Sequence, residues 1–552
     1  MDRRQFLRAA LGTAALTATA APARPNIILI MADDLGFSDI GPYGSEIATP
    51  NLDALAKNGL RFTQFYNTAR CCPTRASLLT GLYPHQAGIG HMMNDYNRPG
   101  YRGDLNRTSV TIAEVLRTAG YRTAMCGKWH VTPQTADTHN WPLQRGFEKY
   151  YGTIAGAGSF WDPNSLTRDN TPIKVERTDF YYTDELGTNG AKYIDELAGK
   201  PAPFFLYMAY TAPHWPMHAP EATINKYRDR YRAGWDALRA ERHARQKKIG
   251  VVKTKWELSP RAPEVPKWDD IPNKDWQIRR MAVYAAMIDH LDQNIGKLVA
   301  KLKEKNQLEN TLIYFLADNG GCAETIGPRT EADANPNTSI RPIKTVDGRP
   351  VQVGNDPKVM PGGPETYQSY GPEWAHASNT PFRLYKHFVH EGGISSPLII
   401  HWPRIVKAKN SLTDQPGHLI DIMATCIDVA GAKYPSEFNG EKITPLEGKS
   451  LLPVFEGKKR AGHEAIFWEH EGNQAIRMAN WKLVKRYGEP WELYDIDNDR
   501  SELNNLATRE TARVEMMSAK WQAWADRSNV LPWLSWQPPA EQKQKQKKKK
   551  QA

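Results

Sequence analysis

Asn26-Ile27-Ile28-Leu29-Ile30-Met31-Ala32-Asp33-Asp34 decides the fold. Its first seven residues form an unbroken apolar, β-branched run. Such a run reads as a strand buried on both faces, the kind found in parallel sheets. The run stops at two adjacent carboxylates, which repel one another unless a cation sits beside them. Taken alone, the pair is equally an ordinary Asp turn. Working outward, the pattern repeats. Tyr121–Cys126 leads into Gly127-Lys128-Trp129-His130, Phe204–Tyr210 into Thr211-Ala212-Pro213-His214, and Thr311–Ala317 into Asp318-Asn319-Gly320-Gly321. Helical stretches separate these strands. One starts at Thr49-Pro50, with proline at its first position. A second opens on the capping box Thr111-Ile112-Ala113-Glu114 and stops at Gly120. A third covers Asn189–Leu197. A fourth carries Met281, Tyr284, Met287, Leu291, Ile295 and Leu302 at helical spacing, a stripe that reads as core. Alternating strands and helices imply an α/β sandwich around a large, mostly parallel central sheet. Sites in such sheets lie beyond the carboxyl ends of the strands. Asp33, Asp34, Lys128, His130, His214, Asp318 and Asn319 all fall there. Four independent coincidences of that kind outweigh the bland reading of each residue.

A second stretch carries the chemistry: Cys71-Cys72-Pro73-Thr74-Arg75-Ala76-Ser77-Leu78-Leu79-Thr80-Gly81. Pro73 is expected to keep a helix from running through the cysteines, with a short helix from Thr74 to Gly81. Cys71 then lies at its mouth, where the positive helix end and Arg75 steer its reactivity. The plain alternative is a buried cysteine pair at a turn. Oxygen donors Asp33, Asp34, Asp318 and Asn319 suit a hard divalent cation, Ca²⁺ before Mg²⁺ and neither replaced by Zn²⁺. Arg75, Lys128, His130, His214 and Lys386 suit a tetrahedral oxyanion, sulfuryl or phosphoryl.

The chain has 552 residues, enough for more than one domain or subdomain, and an ordinary globular composition of 40% hydrophobic and 24% charged residues. Its formal charge is +11, but the Lys/Gln-rich end and the first 23 residues hold seven of those charges, so the body carries about +4. A nucleic-acid reading of the high pI weakens accordingly. Five cysteines, two of them adjacent, do not make a disulfide framework, and no CxxC pair suggests zinc. Arg3-Arg4-Gln5-Phe6-Leu7 followed by the Ala/Thr-rich run Ala9–Ala21 reads as a twin-arginine export signal over residues 1–23. The expected location is therefore periplasmic or extracellular, with no transmembrane anchor. A main domain is expected over 24–438 and a smaller C-terminal α+β subdomain over 439–538. In the latter, short runs at Ala465–Glu469, Gln474–Arg477, Trp481–Val484 and Trp491–Tyr494 form an antiparallel meander closed by a helix near Arg509–Ala525. Residues 539–552 read as a disordered tail. Residues 151–185 and 322–380 read as long loops. The basic stretch from Tyr227 to about Lys248, within an apparent insertion over 225–275, reads as a solvated surface helix.

The Cys71–Gly81 run resembles the signature of the formylglycine-dependent (type I) sulfatases, within the alkaline phosphatase superfamily, and the resemblance is closest to bacterial arylsulfatases. Gly-Lys-Trp-His at 127–130, Ala-Pro-His at 212–214 and Lys386 ahead of Glu391-Gly392-Gly393 match the family in order, over nearly the whole chain. Thr74 for the commoner serine and His390 before Glu-Gly-Gly depart from it. The resemblance implies that Cys71 is converted by a maturation enzyme to formylglycine. It also implies that Asp33, Asp34, residue 71, Asp318 and Asn319 ligate Ca²⁺. In the implied mechanism a hydrated aldehyde at 71 attacks sulfur beside Arg75. His214 and Lys386 assist the leaving alcohol, Lys128 holds oxygens, and His130 takes the proton that regenerates the aldehyde. The implied substrate is a sulfate ester, with a sulfated polysaccharide or oligosaccharide favoured over a small aryl sulfate. Trp161, Tyr181, Tyr182 and His218 are candidate pocket walls and equally candidate packing residues. Two alternatives stand beside this reading: a phosphonate or phosphodiester hydrolase of the same superfamily, and a non-catalytic binder of sulfated glycans.

Overall fold

The computed structural model describes residues 24–538 except 134–136 and 335–338. The twin-arginine segment 1–23 and the tail 539–552 therefore lie outside the described residues. An eleven-stranded sheet runs through the centre. Its order is Ser411–Thr413, Leu60–Tyr66, Ser395–His401, Thr311–Ala317, Asn26–Ala32, Phe204–Ala209, Arg122–Gly127, Lys149–Thr153, Leu166–Arg168, Thr171–Pro172, with Gly417–His418 also paired to Leu60–Tyr66. From Thr311–Ala317 to Lys149–Thr153 every pairing is parallel. Ser395–His401 runs antiparallel to both of its neighbours. Both edges are two- or three-residue strands, and one contains Pro172.

Register explains why the predicted residues meet. Met31 and Gly127 both pair with Ala209, and Ala32 pairs with Ala317. Four strands thus end in one row, and the residues that follow emerge side by side. The alternation of Asn26–Ala32 feeds two cores. Ile28 and Ile30 pack with Met281, Tyr284 and Ile288, so the methionine-bearing stripe is core. Ile27, Leu29 and Met31 pack on the other face with Leu78, Ile112 and Met423. The capping box at Thr111 forms in both directions, Glu114 N donating to Thr111 Oγ1 and Thr111 N to Glu114 Oε2.

Several expectations are corrected. The helix over Cys71–Thr80 begins at Cys71 rather than after Pro73. Proline in a first turn loses nothing, because the N–H groups there have no intrahelical acceptor. Residues 151–185 are not one loop. They contain the sheet's last strands and the start of a longer helix, Tyr182–Ala198. Residues 322–380 likewise include a helix at Gly371–Ser378 and a two-stranded parallel ribbon. The basic helix, Gly234–Ile249, is not a solvated surface helix. Trp235, Leu238, Arg239, Arg242 and Gln246 on it are buried. Arg242 places Nη1 2.6 Å from Asp39 Oδ1 and Nε 2.9 Å from Glu46 Oε2, all out of solvent.

The C-terminal meander is a four-stranded antiparallel sheet, Ile466–His470, Asn473–Met478, Trp481–Lys485 and Glu492–Asp495. The helix Thr511–Arg527 covers one face, while Trp468 and Val484 on the other pack against Tyr66 and Ile394. A buried ion network fixes this sheet to the main body. Lys482 Nζ lies 2.9 Å from Glu391 Oε1 and 2.8 Å from Glu502 Oε1, and Arg500 Nε lies 2.9 Å from Glu391 Oε2. The two residues after Glu391 must be small: a Cβ on Gly393 would stand 1.8 Å from Phe388 O. Lys482→Met would leave two carboxylates buried with one partner removed. It is expected to destabilise the protein by about 3–5 kcal/mol, read as a lowered midpoint in urea unfolding.

Candidate active site

Arg75 organises the row of strand ends. Its Nη2 lies 3.2 Å from Asp33 Oδ2 and 3.0 Å from Asp318 Oδ2, and Nη1 donates to Lys128 O at 3.0 Å. Lys128 Nζ completes this half at 2.6 Å from Asp33 Oδ2. Gly127 admits that approach: its φ is +114, and a Cβ there would meet Ala209 O at 1.9 Å. The other half centres on Asp34. Its Oδ1 lies 2.7 Å from Lys386 Nζ and accepts from Asn319 Nδ2 at 2.6 Å, and its backbone N donates to Asp318 Oδ1. His214 Nε2 lies 3.4 Å from both Lys386 Nζ and Asp34 Oδ2. His214 Nδ1 faces Trp215 O at 2.6 Å, which puts the proton on Nδ1 and leaves Nε2 as the acceptor. All these side chains are buried. Asp34 and His130 hold φ of +62 and +54, a conformation costly for residues other than glycine and concentrated at functional sites.

The cysteine pair sits above Arg75, one helical turn toward the N-terminus. Cys72 Sγ lies 3.2 Å from His130 Nε2. A hydrogen bond from Cys72, with Lys128, His130 and Lys386 nearby, holds the Cys71 thiol well below its ordinary value despite burial. Burial, reinforced by Lys128, lowers His130 to about 4, so it stands as a neutral imidazole. Thr74 donates to Asp318 O at 2.6 Å, tying the helix to the strand end. The structure therefore brings together the residues assigned a catalytic or metal-ligating part from the sequence: Asp33, Asp34, Cys71, Arg75, Lys128, His130, His214, Asp318, Asn319 and Lys386.

The donor set fits a hard cation. Asp33 Oδ1 and Asn319 Oδ1 are buried and have no hydrogen-bond partner among the described residues. Burial and the neighbouring Asp33 carboxylate push Asp318 well above the usual carboxylate range, while burial is outweighed at Asp33 by Lys128, His214 and Arg75, which hold it low. A divalent cation relieves that repulsion and gives both orphaned oxygens a partner.

Other expectations change. Tyr181, Tyr182 and His218 do not line the site. They are buried packing groups: Tyr181 donates to His218 O, Tyr182 to Thr153 Oγ1, and His218 Nε2 faces Thr366 O. Trp161 packs on Tyr181 rather than on the cluster. Arg70, Trp215, Glu324 and His387 escaped the sequence reading. Arg70 Nη1 meets Glu324 Oε1 at 2.8 Å, Trp215 Nε1 donates to Glu324 Oε2 at 2.8 Å, and His387 Nε2 lies 3.1 Å from Glu324 Oε1. Their signal was position alone: each adjoins a predicted residue or follows the Asp318–Gly321 turn.

Comparison with known proteins places this geometry. The family description "Sulfatase" matches residues 25–432, and "N-sulphoglucosamine sulphohydrolase, C-terminal" matches residues 382–524. The chain belongs to the sulfatase family, in the alkaline phosphatase superfamily, and is a sulfuric ester hydrolase. It is 35% identical over 521 residues to an uncharacterized sulfatase of Schizosaccharomyces pombe, covering 88% of this chain and 90% of the relative. It is 31% identical over 455 residues to the arylsulfatase of Klebsiella aerogenes, covering 79% and 93%. The solved structure of Ps i-CgsB in complex with k-i-k-neocarrahexaose superposes with a TM-score of 0.65 at 26% identity, over 94% of this chain and 96% of that one.

Ca²⁺ added to chelator-stripped protein at about 100 times its Kd is expected to stabilise it by about 2.7 kcal/mol, read as a raised melting temperature. Asp318→Asn should abolish most of that gain.

Proposed function

We propose that the protein hydrolyses sulfate esters of carbohydrates through a formylglycine at position 71, with Ca²⁺ held by Asp33, Asp34, Asp318, Asn319 and residue 71. The observation that carries this reading is the pair of buried, unpartnered oxygens, Asp33 Oδ1 and Asn319 Oδ1, beside a residue 71 faced by cations. When present, the ion would polarise sulfate oxygens, and the hydrated aldehyde would supply a nucleophile that can regenerate itself.

The chain's own residues divide the remaining work. Three carboxylates (Asp33, Asp34, Asp318) face three permanent cations (Arg75, Lys128, Lys386), so a bound divalent ion leaves the site two charges positive and ready for an anion. Arg75 is spent on carboxylates and acts by positioning them. Lys128 and Lys386 each have donors left for sulfate oxygens. His214, with Nε2 toward Lys386, can relay a proton from that ammonium to a departing alkoxide. His130, neutral and with a ring nitrogen within 4.8 Å of the Cys71 and Cys72 sulfurs, can take a proton at residue 71.

Carbohydrate is favoured by Trp215, a partly exposed indole whose ring lies 4.4 Å from that of His214 between centroids and can stack on a sugar. The neocarrahexaose bound by Ps i-CgsB supports the same class. The twin-arginine pattern supports export to the periplasm or exterior after maturation of Cys71 by a formylglycine-generating enzyme. Among the described residues, no helix is long and apolar enough to cross a membrane.

Peptide mass spectrometry across residues 71–75, paired with sulfate release from a chromogenic aryl sulfate and from sulfated oligosaccharides, tests the reading. The expected result is an aldehyde at 71, Ca²⁺-dependent release, and a loss of about 10³-fold or more in Cys71→Ala. Unmodified Cys71 without release in a maturation-competent host would overturn it. Faster turnover of a phosphonate ester than of the sulfate ester with the same leaving group would favour the superfamily's other chemistry.

A further inference from the structure

Beside the active site, three segments distant in sequence converge on one carboxylate. Glu471 Oε1 lies 2.9 Å from His91 Nε2, and Glu471 Oε2 lies 3.2 Å from His387 Nδ1. His470 Nε2 stands 3.8 Å from Glu471 Oε1, too far to hydrogen-bond. His470 is fully buried, and neither of its ring nitrogens has a hydrogen-bond partner among the described residues. Its ring stacks on His91 at 5.8 Å between centroids and leans toward His387 at 5.9 Å. A histidine with two orphaned nitrogens is costly unless something occupies the gap it faces.

We propose that His91, His387, His470 and Glu471 form a second metal site, of zinc type, distinct from the oxygen-donor cluster of the active site. Three imidazoles and one carboxylate are the donor chemistry of a borderline divalent ion such as Zn²⁺, not of Ca²⁺. Donors on a tetrahedral zinc stand about 3.3 Å apart, given bonds of about 2.0–2.1 Å. The donor atoms of His387, His470 and Glu471 already lie within 4.8 Å of one another; His91 stands outside that group, with Nε2 2.9 Å from Glu471 Oε1, and would turn inward to complete the set. His387 is also held from the other side of its ring: Nε2 faces Glu324 Oε1 at 3.1 Å and the donor Nη1 of Arg70, which is paired with Glu324. That carboxylate–histidine arrangement is how metal ligands are oriented.

The backbone bears the cost of this arrangement. His470 and Asn473 close a two-residue hairpin whose turn residues Glu471 and Gly472 have φ of +51 and +79. Such turns favour Asn-Gly, so a glutamate there goes against local preference. His387 itself has φ +83. Two ligands of one cluster in disfavoured backbone conformations mark a functional position rather than a packing accident. The site would pin the C-terminal hairpin to the loop that carries Lys386 and, through Glu324 and Arg70, to the residue preceding Cys71.

The full-length protein, stripped of metal and kept in excess Ca²⁺ to fill oxygen-donor sites, is titrated with Zn²⁺ and separately with Co²⁺. The expected result is one bound equivalent and the intense visible absorption of tetrahedral Co²⁺. Both should persist in a Cys71→Ala/Cys72→Ala variant, which removes the thiols near His130. His470→Gln and His91→Gln should each weaken binding by about 100-fold or more, with unchanged circular dichroism. Should His470→Gln fail to fold, His91→Gln decides, since it lies on a separate loop. No stoichiometric uptake by the wild type, wild-type affinity in the folded His91→Gln variant, or loss of uptake in the double cysteine variant would overturn the proposal.

Discussion

Three carboxylates buried at neighbouring strand ends cannot coexist without cations, and Arg75 is the one that makes the arrangement foldable. It bridges Asp33 and Asp318 from a guanidinium with no solvent exposure. Removing such a partner strands charge in a low-dielectric interior, at a cost of several kcal/mol. Arg75 reaches the row from a helix that begins at Cys71, and residues four apart share a helix face. Seating Arg75 on the carboxylates therefore seats residue 71 over them as well. Stability of the strand ends and placement of the reactive position are one geometric fact.

The second constraint comes from the far end of the chain. Glu391, five residues after Lys386, is held by Lys482 and Arg500 of the C-terminal part. The close approach of Gly393 to Phe388 O then folds the intervening segment back, so that Lys386 reaches Asp34. The smaller sheet thus acts as a clamp on a loop of the larger one.

What was legible in the sequence follows from these facts. Buried strands announce themselves by unbroken apolar runs, and the groups that follow them share the sheet's register, so the row from Asp33 to Asp318 could be read without coordinates. The Gly234–Ile249 helix could not. Its charge suggested solvent, because Asp39 and Glu46, which bury Arg242, lie some two hundred positions away. Tyr181, Tyr182 and His218 stood open between wall and core for a different reason. Aromatic and imidazole groups serve walls and cores alike, and only their partners, such as Thr366 O for His218, tell which. The Glu471 hairpin was invisible as a cluster because its members come from three separate segments, each ordinary on its own.

The short outer strands of the central sheet have a further consequence. A long sheet ordinarily ends in a row of free N–H and C=O groups that can recruit another chain. Here the fully buried Leu60–Tyr66 strand is covered by two pieces, Ser411–Thr413 and Gly417–His418, and the opposite side tapers to Thr171–Pro172, where proline has no N–H to offer. Neither border presents a long template for intermolecular strand pairing, so the width of the sheet does not by itself expose a sticky edge.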